Sequence, residues 1–109
     1  MLNSELYFVF PGNLNTNTGG YHYDRRVIEE LRKLGSSVNI ISLSAKFPFP
    51  DEIALKNTAY IFSSIPDDSV VIVDGLAFGA MKNVIRLHKN RLYLIALCHH
   101  PLAMETGLN

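Results

Sequence analysis

The chain has one cysteine, no tryptophan, no net charge and no long apolar run, and each shortage closes off a class of protein. A lone Cys98 cannot form an internal disulfide, so a fold of 109 residues must rest on its own core. No N-x-Ser/Thr sequon is present either. The opening MLNSELYFVF lacks the basic region and extended apolar core of a signal peptide. No stretch reaches the roughly 18 apolar residues that a membrane span needs. A reducing cytoplasm is the expected compartment. Ten Lys and Arg balance ten Asp and Glu, which leaves no overall attraction for nucleic acid or an anionic membrane.

Two phosphate-binding signatures are also missing. G-x-G-x-x-G does not occur, and the second apolar run ends in Leu43-Ser44 rather than in the acidic residue that a ribose requires. No Gly-Lys-Ser/Thr follows the glycine pair, so the loop is not a Walker A loop. An acidic cluster after the first strand, as in a receiver domain, is absent; Pro11, Gly12 and Asn13 occupy that place.

What is present alternates between two periods. Leu6–Phe10 is a continuous apolar run closed by Pro11-Gly12 and reads as a buried strand. After a loop, Gly19-Gly20 opens a helix whose stripe is Tyr23, Val27, Ile28, Leu31 and Leu34. Arg25, Arg26, Glu29, Glu30, Arg32 and Lys33 cover its other face, with Glu29 one turn before Lys33. Gly35 fits a left-handed C-cap. Ser37–Leu43 is a second strand, Glu52–Ile65 a second helix and Ser69–Val73 a third strand ending at Asp74-Gly75. Phe78–Lys89 reads as a third helix with Met81, Val84, Ile85 and His88 on one stripe. Leu92–Cys98 is a fourth strand, followed at once by His99-His100-Pro101.

This βαβαβαβ order, with nearly continuous apolar strands, implies an α/β fold: a three-layer parallel sheet of four strands with helices on both faces. A chain of this size is a single domain. Right-handed crossovers permit strand orders 3-2-1-4 or 2-1-3-4. In both, the first strand lies at a switch point and Gly19-Gly20 faces the carboxyl-edge crevice. They differ in the neighbour: Asp74-Gly75 in 2-1-3-4, His99 in 3-2-1-4.

The residues that could carry chemistry divide accordingly. Gly19 and Gly20 can bring helix N–H groups close to an anionic or hydroxyl-rich ligand, or can serve only a tight turn. Tyr21 and His22, in the first helical turn, can flank such a ligand, while Tyr23 is expected to pack beneath. Asp74 either contacts a ligand or caps the next helix. His99 and His100 leave a buried strand directly and can project from the carboxyl edge, where an imidazole can assist proton transfer. They lack a third ligand at metal spacing, so no metal site is expected. Cys98 and His99 are neighbours on a strand and face opposite ways, which argues against a nucleophile pair. His88 belongs to an apolar stripe and is expected to pack.

GGYHYDRRVIEELRKLG followed by VNIISL, with VVIVDGLAFGA and LYLIALCHHPLAMETGL further on, resembles the N-terminal domain of glycosyltransferase family 4, retaining enzymes of the GT-B fold. The resemblance runs over essentially the whole chain; Ser44–Ser64 is its least distinctive part. It implies a Rossmann-like, acceptor-side domain facing a second domain that grips a nucleotide-sugar donor, with no metal or other cofactor in the chemistry. It also favours strand order 2-1-3-4. Carried over, Gly19 and Gly20 match the family's glycine loop, and His99 matches the histidine that lines the site beside the transferring sugar. His100, Asp74, Gly75, Tyr21 and His22 are then candidate contacts to donor or acceptor. Gly35-Ser36 stands where the family often has Gly-His. A chain ending at Asn109 would lack the donor-binding domain, so the expectation is an inactive acceptor-side portion of a longer enzyme. The alternative is a free-standing flavodoxin-like module for a phosphate-bearing ligand or a protein partner. An unpaired apolar fourth strand at the sheet edge would favour a homo-oligomer.

Overall fold

The computed structural model describes residues 5–12, 19–44 and 49–97. Its elements are β1 (Glu5–Pro11), α1 (Gly19–Lys33), β2 (Ser37–Leu43), α2 (Glu52–Ser63), β3 (Val70–Asp74), α3 (Gly75–Phe78), α4 (Lys82–His88) and β4 (Tyr93–Leu97). The four strands form one parallel sheet in the order β2-β1-β3-β4, the second of the two orders that the alternation allows.

Register sorts the side chains between two layers. Leu6, Phe8 and Phe10 lie level with Val38, Ile40 and Ser42 on one side and with Val70 and Ile72 on the other. On this face α1 lays Ile28, Val27 and Leu31 over Phe8, Phe10, Val38 and Ile72. The opposite face carries Val9, Leu43, Val71 and Val73, packed against Ala54, Phe62, Ala77, Met81 and Val84 of the segments from α2 to α4. Phe8, Phe10 and Phe62 are fully buried, each worth roughly 2–3 kcal/mol in removed apolar surface.

The helix ends are set by local chemistry. α1 stops in a Schellman motif, with Ser36 N–H donating to Leu31 O at 3.1 Å and Gly35 N–H to Arg32 O at 3.0 Å. Gly35 sits at φ +94°, a conformation costly for any residue with a Cβ. Lys33 pairs with Glu30 at 3.3 Å, three residues back, rather than with Glu29. Asp51 caps α2, its Oδ1 accepting from Ala54 N–H at 2.8 Å.

The third helix departs from the continuous Phe78–Lys89 that periodicity predicts. It is divided into α3, which starts directly after β3, and α4. Between them Gly79 carries the lowest helix propensity short of proline, and Met81 leaves helical geometry at φ −131°, ψ 43°. Met81 is buried in the core, so tertiary packing of that side chain overrides the helical pattern.

Arg91 closes the amino-edge end of the helical layer. Its guanidinium donates to Phe62 O at 2.6 Å, Ile65 O at 2.6 Å, Asp67 Oδ1 at 2.9 Å and His88 Nδ1 at 3.0 Å. It therefore gives Phe62 O a second donor beside Ile65 N–H, satisfies Ile65 O just beyond α2, and ties the end of α2 to α4. Its own carbonyl accepts from Asp68 N–H at 2.6 Å, in a turn where Asp68 holds φ +68°. His88 packs beside Phe62, ring centroids 6.0 Å apart, as its place on the stripe implies. Burial, and secondly the Arg91 charge, push its pKa down, so it stays neutral and accepts.

Arg91→Ala should lower stability by about 2–3 kcal/mol, because two carbonyls and an imidazole lose a charged donor. Arg91→Lys should recover less than half, since an ammonium cannot fork between Phe62 O and Ile65 O. Urea midpoints of the three proteins measure both effects.

Candidate functional site

In a 2-1-3-4 sheet the chain leaves β1 for one neighbour and later returns to place β3 on its other side, so the carboxyl edge opens between β1 and β3. Gly19 and Gly20 are the first two residues of α1, the helix that returns from this edge. Gly20 has no Cβ to hinder approach of a ligand to the first-turn N–H groups, and Gly19 likewise. β3 ends at Asp74 on the same edge, and Gly75 begins α3 without an intervening loop. The tertiary structure thus brings the start of α1 and the Asp74-Gly75 corner to one edge.

What joins them was not legible as a motif. Asp24, in the second turn of α1, is fully buried and faces Asp74, itself fully buried. Burial is the main influence on Asp24, pushing its pKa from the usual carboxyl range to about 8. A hydrogen bond to Asp74 and that residue's negative charge act in the same direction. At neutral pH the Asp24 carboxyl keeps its proton and donates it to Asp74. Two carboxyls that would repel as a pair of anions instead share a proton, as like-charged buried neighbours must.

The pair occupies the side of α1 that periodicity gave to Tyr23. Tyr23 is 44% exposed and Leu34 is 82% exposed, whereas Asp24 and Ile28, one turn apart, are buried. The helix is rotated so that the 24–28–31 line faces the sheet. The available signal was that stepping back from Leu31 and Ile28 by one turn reaches Asp24, not an apolar residue. Polarity disguised it as a surface position.

His22 is exposed, and its Nδ1 accepts from the Arg25 guanidinium one turn on. Its ring therefore belongs to the outer rim of α1's first turn, not to the buried pair. Tyr21 lies within α1, but its side chain is outside the described residues. β4 is described as far as Leu97, whose register partner is Asp74; His99 and His100 lie outside the described residues. Among the described residues no group of three or more His, Cys, Asp or Glu could hold a metal ion. Among the described residues no helix is long and apolar enough to cross a membrane.

Chemically, the arrangement offers two different things. Backbone N–H groups at the start of a fifteen-residue helix provide a positive pole for an anion. The Asp24–Asp74 pair is shielded from solvent and cannot reach a substrate directly, so it acts as a positioning element that clamps α1 to the end of β3. A groove of about 470 Å³ between α2 and α4, lined by Leu55, Ala59, Val84 and Leu87, lies on the helical layer and not in this crevice.

No protein-family model matches the chain, and neither a curated protein nor a solved structure does. The geometry by itself defines an α/β chain with a Rossmann-like, all-parallel four-stranded sheet.

The buried pair sets a pH dependence. Asp24 binds its proton more tightly folded than unfolded, so the stabilisation is complete below about pH 4 and is lost as pH rises to about 8. Asp24→Asn keeps a neutral donor toward Asp74 and should flatten that loss. Above pH 8 the variant should exceed the parent by about 1–2 kcal/mol, the usual penalty of an ill-solvated buried polar group. Thermal melts across this range check it. A parent whose stability rises between pH 4 and 8, with the variant parallel to it, would contradict the assignment.

Proposed function

We propose that the chain is the acceptor-side, N-terminal portion of a retaining glycosyltransferase of the family 4 type, acting with a second domain that holds a nucleotide-sugar donor. The observation that carries the reading is the meeting of the Gly19-Gly20 helix start with the Asp74-Gly75 corner at the switch point of a 2-1-3-4 sheet. The similarity of the glycine loop and of the His99 segment to that family supports it.

In this reading the α1 N–H groups lie against the donor's diphosphate, where the helix pole stabilises the charge that grows as the sugar–phosphate bond breaks. The acceptor oxygen forms the new bond to the sugar's anomeric carbon, and its proton passes to the departing phosphate. His99 takes the place beside the transferring sugar. The nucleotide sugar is a substrate, and the carbohydrate or small-molecule acceptor occupies the crevice mouth. No nucleic acid enters the reading, and the setting is cytoplasmic. The 109 residues by themselves would not catalyse transfer, because positioning the donor needs groups from the facing domain.

A polypeptide containing this domain and its facing partner should release nucleoside diphosphate from a nucleotide sugar. Gly20→Val and His99→Ala should each lower kcat/KM by about 100-fold or more while leaving the melting temperature within a few degrees. Unchanged turnover in both variants would overturn the reading. Saturable binding of a phosphate-bearing ligand at the crevice, without any transfer, would replace it by that of a flavodoxin-like binding module.

For the chain by itself, β4 is the edge strand, it carries no charge, and it leaves Tyr93 and Ile95 about half exposed on the α1 face. Such an edge lacks the lysines and prolines that discourage pairing. Self-association through β4 follows. Light scattering should show a mass that grows with concentration, and a constant monomer mass would refute it.

A further inference from the structure

From Gly75 to Leu97 the chain contains Lys82, Arg86, Lys89 and Arg91 and no Asp or Glu, although the whole molecule is neutral. Arg91 is turned inward onto the carbonyls of Phe62 and Ile65. The other three are exposed and fall at i, i+4 and i+7 along α4 and its C-cap, a line about 10 Å long. Among the described residues none of the three has an ion-pair partner.

Stability does not explain this arrangement. Like charges one turn apart repel, and Lys82 stands at the first position of α4, against the positive pole of the helix, where an acid would be favoured. The three cations border a groove of about 300 Å³ whose apolar wall is Phe78 and Ile85, both half-buried, with Gly79 at one end. The shape is concave. A bilayer would require apolar side chains protruding beside the cations. The protruding residue of α4, Leu87, instead lies on the far side of the helix, toward α2.

We propose that the α3–α4 groove docks a short acidic segment of a partner protein. An apolar side chain seats against Phe78 and Ile85, and flanking carboxylates reach Lys82, Arg86 and Lys89. The groove shares no lining residue with the glycine loop, Asp74, Gly75 or the His99 segment, so the proposal does not depend on the glycosyl-transfer reading.

The test uses the full chain and a fluorescein-labelled hexapeptide, Glu-Asp-Leu-Phe-Asp-Glu, followed by fluorescence anisotropy and amide chemical shifts. Saturable micromolar binding is expected, with shifts concentrated between Phe78 and Lys89. Lys82→Glu, Arg86→Glu and Lys89→Glu together should weaken it at least about ten-fold, and added salt should do the same. A peptide with Gln and Asn in place of the acids should not bind. If charge reversal disturbs α4 by circular dichroism, the triple change to Gln provides the same comparison. Affinity unaffected by these changes, or shifts lying elsewhere, would overturn the proposal. So would capture of the chain by phosphatidylglycerol vesicles or by a DNA duplex through the same three residues while the peptide fails to bind.

Discussion

Everything in this molecule is arranged around the burial of β1 on all four sides. Its backbone is paired with β2 and β3, and its side chains meet α1 on one face and the α2–α4 layer on the other. Phe8, Val9 and Phe10 are accordingly almost wholly removed from water. A strand in that position can carry no unpaired polar group, because an unsatisfied N–H or C=O in such surroundings costs more than its neighbours return. Parallel pairing supplies the partners, and it obliges the chain to cross over after every strand. The helices on both faces, and the switch point where the two crossovers diverge, are consequences of that single requirement.

Among the described residues, the buried polar side chains are held in different ways. Thr58 donates to Ala54 O at 2.8 Å and Ser69 to Pro66 O at 2.7 Å, both short-range answers within one turn. Arg91 solves a larger problem by carrying a charge to the Phe62 and Ile65 carbonyls at the end of α2, where two segments distant in sequence meet. Asp24 and Asp74 use a third device. By holding a proton between them they place two acidic side chains inside the fold without confining two negative charges there. The clamp locates the first turns of α1 over the carboxyl edge. The placement of α1 and the stability of the core are thereby linked through one proton.

The charges left outside show a division of labour. Those of α1 are mixed, Glu29 and Glu30 standing among Arg25, Arg26, Arg32 and Lys33 with Glu30 paired to Lys33, so that helix presents a solvated surface. α4 presents one sign only. Neutrality of the whole chain hides this asymmetry, since the ten acids are drawn to the first three quarters of the sequence and to Glu105. Two faces of the molecule therefore differ in what they can attract, the carboxyl-edge crevice through oriented backbone dipoles and the α3–α4 groove through side-chain charge.

The strand and helix order, the parallel character of the sheet, the Gly35 cap and the packing role of His88 were legible in the sequence, because each depends on local period, local chirality or an uninterrupted run of apolar β-formers. The switch-point position of Gly19 and Gly20 followed from the alternation under either strand order. The choice of 2-1-3-4 did not follow from the alternation itself, since both orders satisfy right-handed crossovers. The break at Gly79–Met81 escaped the pattern because Met81 answers to the core and not to its helical neighbours. Asp24 escaped for the same kind of reason: periodicity assigns a carboxyl to water, and only the proximity of a second carboxyl from a strand fifty residues away lets a shared proton bring it inside. The sequence by itself thus determined which segments are strands and helices, apart from the break in the third helix, through interactions that act within a few residues. The tertiary structure alone decided which way α1 is turned and what holds it there, because that depends on charges and volumes supplied by distant parts of the chain.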